Sequence, residues 1–205
     1  MNIFFDLDGT LWDSSERLYR LFRDLTGIDN LSKEEYWEQK RNKVSNEAIL
    51  NSQFGWGENQ VRAFTEQWLM RIEYPEYLKL DQLFPFTTSV LSRAKSSGAY
   101  IYYVTLRQSA SRVEQEIKDK GIDGYCKKCL VSEAKTTKES LVRDSGITLS
   151  ADDAFVGDTG IDVISAKSLG IRSIAVLSGF RNKETLEGYN PDFIINDISE
   201  LYEVL

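Results

Sequence analysis

The chain opens on an apolar run, Ile3-Phe4-Phe5, which stops at Asp6 with Asp8 two residues on and Gly9-Thr10 behind it. A short apolar run bounded by a turn signal predicts a buried strand. Further runs of this kind lie at 99–105, around Leu130-Val131, at 154–158, at 172–177 and at 193–195. Helical spacing of apolar residues fills the gaps at 87–97, at about 109–120, at 138–145 and at 161–169, and a last helix starts at Asp197. Such alternation predicts an α/β fold with a Rossmann-like, mainly parallel sheet covered on both faces. Its ligand site belongs outside the carboxyl ends of the strands. One region breaks the rhythm. From Asp13 to residue 83 there is no strand pattern, only helical ones: Leu18, Leu21, Phe22 and Leu25 at helical spacing, then 33–40, 46–54 and 58–74. We therefore expect a core of residues 1–12 and 84–205 with a small all-helical insertion, 13–83, after the first strand. Trp37, Phe54, Trp56, Phe64 and Trp68 crowd into that insertion, where they either pack a small bundle or line a pocket.

Chemistry concentrates at the strand ends. Asp6 and Asp8 are two residues apart, so on an extended backbone they point to the same side. Close carboxylates of that kind need a cation or a shared proton to offset their repulsion. A second strand ends at Thr105, with Arg107 beyond it, and a third ends at Asp158, with Asp162 one helical turn further on. Lys138 starts an intervening helix, and Lys135 is the alternative lysine nearby.

Composition narrows the chemistry. There is no histidine among the 205 residues, so proton transfer near neutral pH falls to a carboxylate, a lysine or a tyrosine. The net charge of −7 disfavours a nucleic-acid polymer as partner. The only cysteines, Cys126 and Cys129, lack the further ligands a structural zinc site requires. They read as a thiol pair or as two half-buried residues leading into a strand. With no apolar stretch of membrane length and no signal-like start, the expected location is cytoplasmic.

Taken together, Phe5-Asp6-Leu7-Asp8-Gly9-Thr10, Val104-Thr105 and Gly157-Asp158-Thr159-Gly160-Ile161-Asp162 resemble the first, second and fourth motifs of the haloacid dehalogenase superfamily. The resemblance is to its capped phosphatases with a helical cap of the C1 type, such as phosphoglycolate phosphatase-like hydrolases. It implies that Asp6 is the nucleophile of a phosphomonoesterase and passes through an aspartyl-phosphate, and that Asp8 is the general acid and base. It further implies Mg²⁺ held by Asp6, the Asp8 main chain and Asp158 with Asp162 close by, and phosphate bound by Thr105 and Lys138, with Arg107 a further contact. The insertion corresponds to the cap. Its loop at Arg41, Asn42 and Lys43 lies where some relatives carry a substrate-facing loop, although a solvated basic turn accounts for the same residues. The implied partner is a small phosphorylated metabolite, met by a monomer or homodimer. A sugar phosphomutase of the same family shares these motifs, and phospho-signalling receiver modules share the Asp, Thr and Lys set.

Overall fold

The computed structural model describes residues 1–205. Strand β1 (Asn2–Phe5) leads through a tight turn into the short β2 (Trp12–Asp13). The helices α1 (Ser15–Thr26), α2 (Lys33–Arg41), α3 (Asn46–Phe54), α4 (Glu58–Arg71) and α5 (Pro75–Leu78) follow. The chain returns through β3 (Gln82–Leu83), which pairs antiparallel with β2. This two-stranded ribbon carries both connections between cap and core; the expected boundary at 12/13 falls inside it and that at 83/84 at its end. The remaining elements are α6 (Thr87–Ser96), β4 (Tyr100–Thr105), α7 (Ala110–Asp119), β5 (Cys126–Val131), α8 (Lys138–Asp144), β6 (Ala154–Gly157), α9 (Gly160–Leu169), β7 (Arg172–Val176), α10 (Lys183–Glu187) and β8 (Phe193–Ile195). The expected terminal helix is a 3₁₀ segment, Ile198–Glu203.

Six strands form one parallel sheet in the order β5-β4-β1-β6-β7-β8. β1 lies between β4 and β6, so the carboxyl ends of the three strands that carry Asp6, Thr105 and Asp158 are neighbours. Both faces of β1 are buried: Ile3 and Phe5 pack on one side with Val90, Leu91 and Ile101, and Phe4 packs on the other with Tyr102 and Phe155. Burial on both faces explains why the strand reads as a continuous apolar run rather than an alternation.

The cap has its own small core around Phe22, Tyr36, Ile49, Leu50 and Phe64. Tyr36 and Phe22 are 4.9 Å apart between ring centroids, and Phe22 meets Phe64 edge-on at 5.9 Å. The aromatics of the insertion thus serve mainly as packing, with Trp68 also facing the cleft described below. No helix is long and apolar enough to cross a membrane.

β5 is longer than its sequence pattern suggests. A register shift between Ile101 and Tyr102 of β4 puts an extra residue into β5, so Cys126 and Cys129 both pack against the same core cluster. Burial pushes their thiols up to about 11 and about 12, which leaves them poor nucleophiles.

Candidate active site

Where the chain leaves β1 it turns at once. The amides of Thr10, Leu11 and Trp12 all point to the Leu7 carbonyl, and Gly9 takes a left-handed φ of 78°. A side chain at Gly9 would also collide with Asp158, its Cβ falling 2.4 Å from the carboxylate, so glycine is required twice over. Because the strand ends at Phe5, the i, i+2 rule no longer governs Asp6 and Asp8. Both line one cleft between core and cap, but their carboxylates have separate partners.

Asp6 lies with Asp158 and Asp162, one carboxylate oxygen of each within 4.8 Å of the others, all three buried. Lys138, at the first position of α8, reaches in between them: its Nζ lies 2.6 Å from Asp6 Oδ1 and 2.6 Å from Asp162 Oδ1. Thr137 caps that helix and so aims the lysine. Lys135 instead pairs with Glu133 in solvent. Asp162 is fixed by α9 itself, accepting from the Thr159 amide and hydroxyl. Asp158 accepts from the Phe180 amide with one oxygen, while its other oxygen, Oδ1, is buried without a partner. Burial raises Asp6 to about 7 against the pull of Lys138, and burial with Asp6 and Asp162 nearby raises Asp158 too. For Lys138 burial works downward, but Asp162 and Asp6 outweigh it and keep the ammonium charged.

Three buried carboxylates against one ammonium, with an orphaned oxygen among them, is a donor set suited to a hard divalent cation. The residues therefore fit the metal that the motifs imply. Thr105 closes the constellation from β4, its hydroxyl accepting from the Arg107 amide at 3.3 Å.

Asp8 sits in a different environment. Arg17, from α1, and Arg107 both pair with its carboxylate, Arg107 through Nε at 2.6 Å and Nη2 at 2.7 Å. Trp12 Nε1 donates to it as well, at 3.0 Å. Burial alone would raise Asp8, but Arg107 and Arg17 prevail and hold it far below the usual carboxylate range. Behind it, Asp81 bridges the same two arginines, at 2.9 Å to Arg17 and 3.0 Å to Arg107. Glu116 of α7 and Lys120, which caps that helix at its C-terminal end, complete the network. Arg107 is thus no solvent-facing side chain; it lines the cleft with Nε and Nη2 held by Asp8 and Asp81.

Arg41, Asn42 and Lys43 do not line this cleft. Their loop docks on the segment after β7: Arg41 donates to the Leu177 carbonyl, Asn182 to both Arg41 and Asn42, and Lys43 to the Tyr189 hydroxyl at 2.7 Å. The physical reason is local, since the Asn42-Lys43 turn finds hydrogen-bonding groups on the core directly beneath it. Residues missed by sequence reasoning include Arg17, Asp81 and Glu73. The Glu73 carboxylate, from the cap end, accepts from the amides of Gln108 and Ser109 at the start of α7, and Arg112 donates back to its carbonyl at 2.8 Å.

The model of a haloacid dehalogenase-like hydrolase matches residues 3–176. A curated phosphoglycolate phosphatase from Vibrio parahaemolyticus is 26% identical over 133 residues, 62% of this chain and 58% of that protein. Among solved structures, a haloacid dehalogenase-like hydrolase from Streptococcus pneumoniae superimposes with a TM-score of 0.76 at 24% identity, covering 98% of this chain and 96% of its own. A predicted phosphoglycolate phosphatase from Haemophilus somnus does so with 0.74 at 21%, covering 99% and 96%. With the family model spanning most of the core and the entire cap, the chain belongs to the haloacid dehalogenase-like hydrolase family.

Proposed function

We propose that this hydrolase is a Mg²⁺-dependent phosphomonoesterase that acts on a small phosphorylated metabolite through an aspartyl-phosphate on Asp6. The observation that carries the reading is the buried Asp6 carboxylate held 2.6 Å from Lys138 beside an Asp158 with an unpartnered oxygen. Asp6, Asp158 and the Asp8 main-chain carbonyl would hold Mg²⁺, with Asp162 adjoining; when bound, the ion neutralises charge on the phosphoryl group and lets an anionic nucleophile approach it.

An Asp6 carboxylate oxygen forms a bond to phosphorus as the ester oxygen departs, and water then displaces Asp6 to release inorganic phosphate. Splitting the displacement in two lowers each barrier. Thr105 and Lys138 donate to the phosphoryl oxygens while their charge redistributes. Asp8 is the proton carrier. Clamped by Arg17 and Arg107 it is a carboxylate, which suits it to take the proton from water in the second step. Protonating the leaving oxygen in the first step requires it to give up an arginine contact, so that half of its role depends on movement at Arg17 or Arg107.

The test is phosphate release from a panel of phosphomonoesters with and without Mg²⁺, alongside Asp6→Asn. Loss of the nucleophile should cut turnover by about 10⁴-fold or more. Wild-type turnover in Asp6→Asn would end the assignment. An isomerised sugar phosphate in place of inorganic phosphate would make the enzyme a mutase, and a phosphoaspartate lasting minutes would make it a receiver-like module.

A further inference from the structure

The cleft that holds Asp6 has a volume of about 320 Å³ and a lining that divides sharply. Its floor is the polar constellation. Its mouth is apolar on both sides, with Trp68, Leu69 and Ile72 from the cap facing Leu106, Ile161 and Phe180 from the core. Leu69 is 53% exposed, Ile161 49% and Leu106 37%, although none of them is at a chain end. Large apolar side chains left in water around one concave site mark a surface that gains by being covered.

The cations of the lining are already committed. Arg17 uses Nε on Asp81, Nη2 on Asp8 and Nη1 on the Ile72 carbonyl. Arg107 uses Nε on Asp8 and Nη2 on Asp8 and Asp81, and its remaining Nη1, though without a hydrogen-bond partner, is buried out of reach of solvent. Lys138 belongs to the phosphoryl site. The basic loop at Arg41 to Lys43 docks elsewhere. A second anionic group on the substrate would thus meet no free cation, and would lie near Asp8 and Glu73. Leaving a buried charge without a partner costs several kcal/mol, whereas apolar contact in a pocket is favourable.

Building on the phosphomonoesterase reading, we infer that the leaving group of the substrate carries an uncharged apolar body, aromatic or branched alkyl, seated between these cap and core side chains. A carboxylate- or phosphate-bearing leaving group is disfavoured, which separates this chain from an enzyme dedicated to phosphoglycolate.

Three alkyl esters test this, because their reactivities are similar and differences report the pocket: 2-phenylethyl phosphate, ethyl phosphate and phosphoglycolate. Binding is measured calorimetrically with Mg²⁺ and the Asp6→Asn protein, and kcat/KM with the wild type. The phenylethyl ester should bind at least about 10-fold more tightly than the ethyl ester, with phosphoglycolate no tighter than ethyl phosphate. Leu69→Asp should weaken phenylethyl binding about 10-fold more than ethyl binding, and the change should fall on KM rather than kcat. Phosphoglycolate binding as well as or better than the phenylethyl ester would overturn the inference, as would equal effects of Leu69→Asp on all three or no binding of any ester. A phenylethyl preference in binding with no hydrolysis by the wild type would leave the pocket assignment standing and remove the hydrolytic reading instead.

Discussion

Asp6 and Asp8 are separated by one residue, yet each anchors a buried ionic cluster of opposite character. Around Asp6 three carboxylates, with Asp158 and Asp162, share a single ammonium, Lys138. Around Asp8 three carboxylates, with Asp81 and Glu116, face Arg17, Arg107 and Lys120. One cluster is short of positive charge and the other is balanced. A deficit among buried acids persists in a folded protein only where something else supplies the charge or the acids hold protons, so this is the place where a cation would be held. Balance marks a brace, here one that ties α1 of the cap to α7 of the core through the junction residue Asp81. The two carboxylates of one short motif therefore stand in different clusters, Asp6 in the one short of positive charge and Asp8 in the one that also braces the cap hinge.

The largest effect should come from breaking the balance. Arg17→Leu leaves three acids facing two cations in a buried place, and the expected loss is about 3–5 kcal/mol of unfolding free energy. Chemical denaturation, read at both near- and far-UV wavelengths, measures it. A loss below about 1 kcal/mol would mean that the arginine is a surface-like pair and that the brace does not exist.

The deficit should show itself next. Mg²⁺ at about 100 times its dissociation constant should stabilise the protein by about 2.7 kcal/mol, seen as a rise in Tm, and Asp158→Asn should abolish that rise. The sign with pH follows from Asp6, which titrates near 7 when folded and near its ordinary 3.8 when unfolded. In the metal-free protein its contribution to stability is fully present below about 3.8 and is lost as pH rises through 7. Asp8 does not blur this window, because it is ionised in both states above about pH 5. The Mg²⁺ increment in Tm should therefore be small at pH 6 and large at pH 8. An increment independent of pH would place the ion elsewhere.

The acid-rich cluster was largely legible in the sequence and the balanced one was not, for a physical reason. Asp6 and Asp158 follow buried strands and Thr105 ends one, and apolar runs that end in polar residues are visible without knowing how the strands pair. Lys138 follows a recognisable helix cap at Thr137. The balanced cluster draws on residues whose burial depends on how cap and core dock. Arg17 lies one position from Leu18 on α1, and a charge beside an apolar stripe is ordinarily a solvated flank. Glu116 did carry a signal, since it sits among Val113 and Ile117 on the buried face of α7. Asp81 carried none. The ribbon of β2 and β3 was missed because two-residue strands have no periodicity to read, and the cysteine spacing in β5 was opaque because a bulge, not the sequence, puts both on one face.

Glu116 also supplies the finest test of the contrast. Its contacts to Arg107 and Lys120 are long, 3.5 Å each, and both its carboxylate oxygens are buried without a hydrogen bond. Burial accordingly raises its pKa above the ordinary carboxylate value against the pull of Arg107. Asp8 and Asp81, by contrast, accept short bonds from the arginine forks. If the brace depends on those directed bonds, Glu116→Gln should change stability by less than about 1 kcal/mol, because it removes a charge held only by loose Coulomb attraction. If the brace depends instead on overall neutrality, Glu116→Gln should cost nearly as much as Arg17→Leu. Denaturant midpoints of the two variants, measured at one pH between 7 and 8, decide between directed hydrogen bonding and simple charge balance as the force that holds the cap hinge to the core.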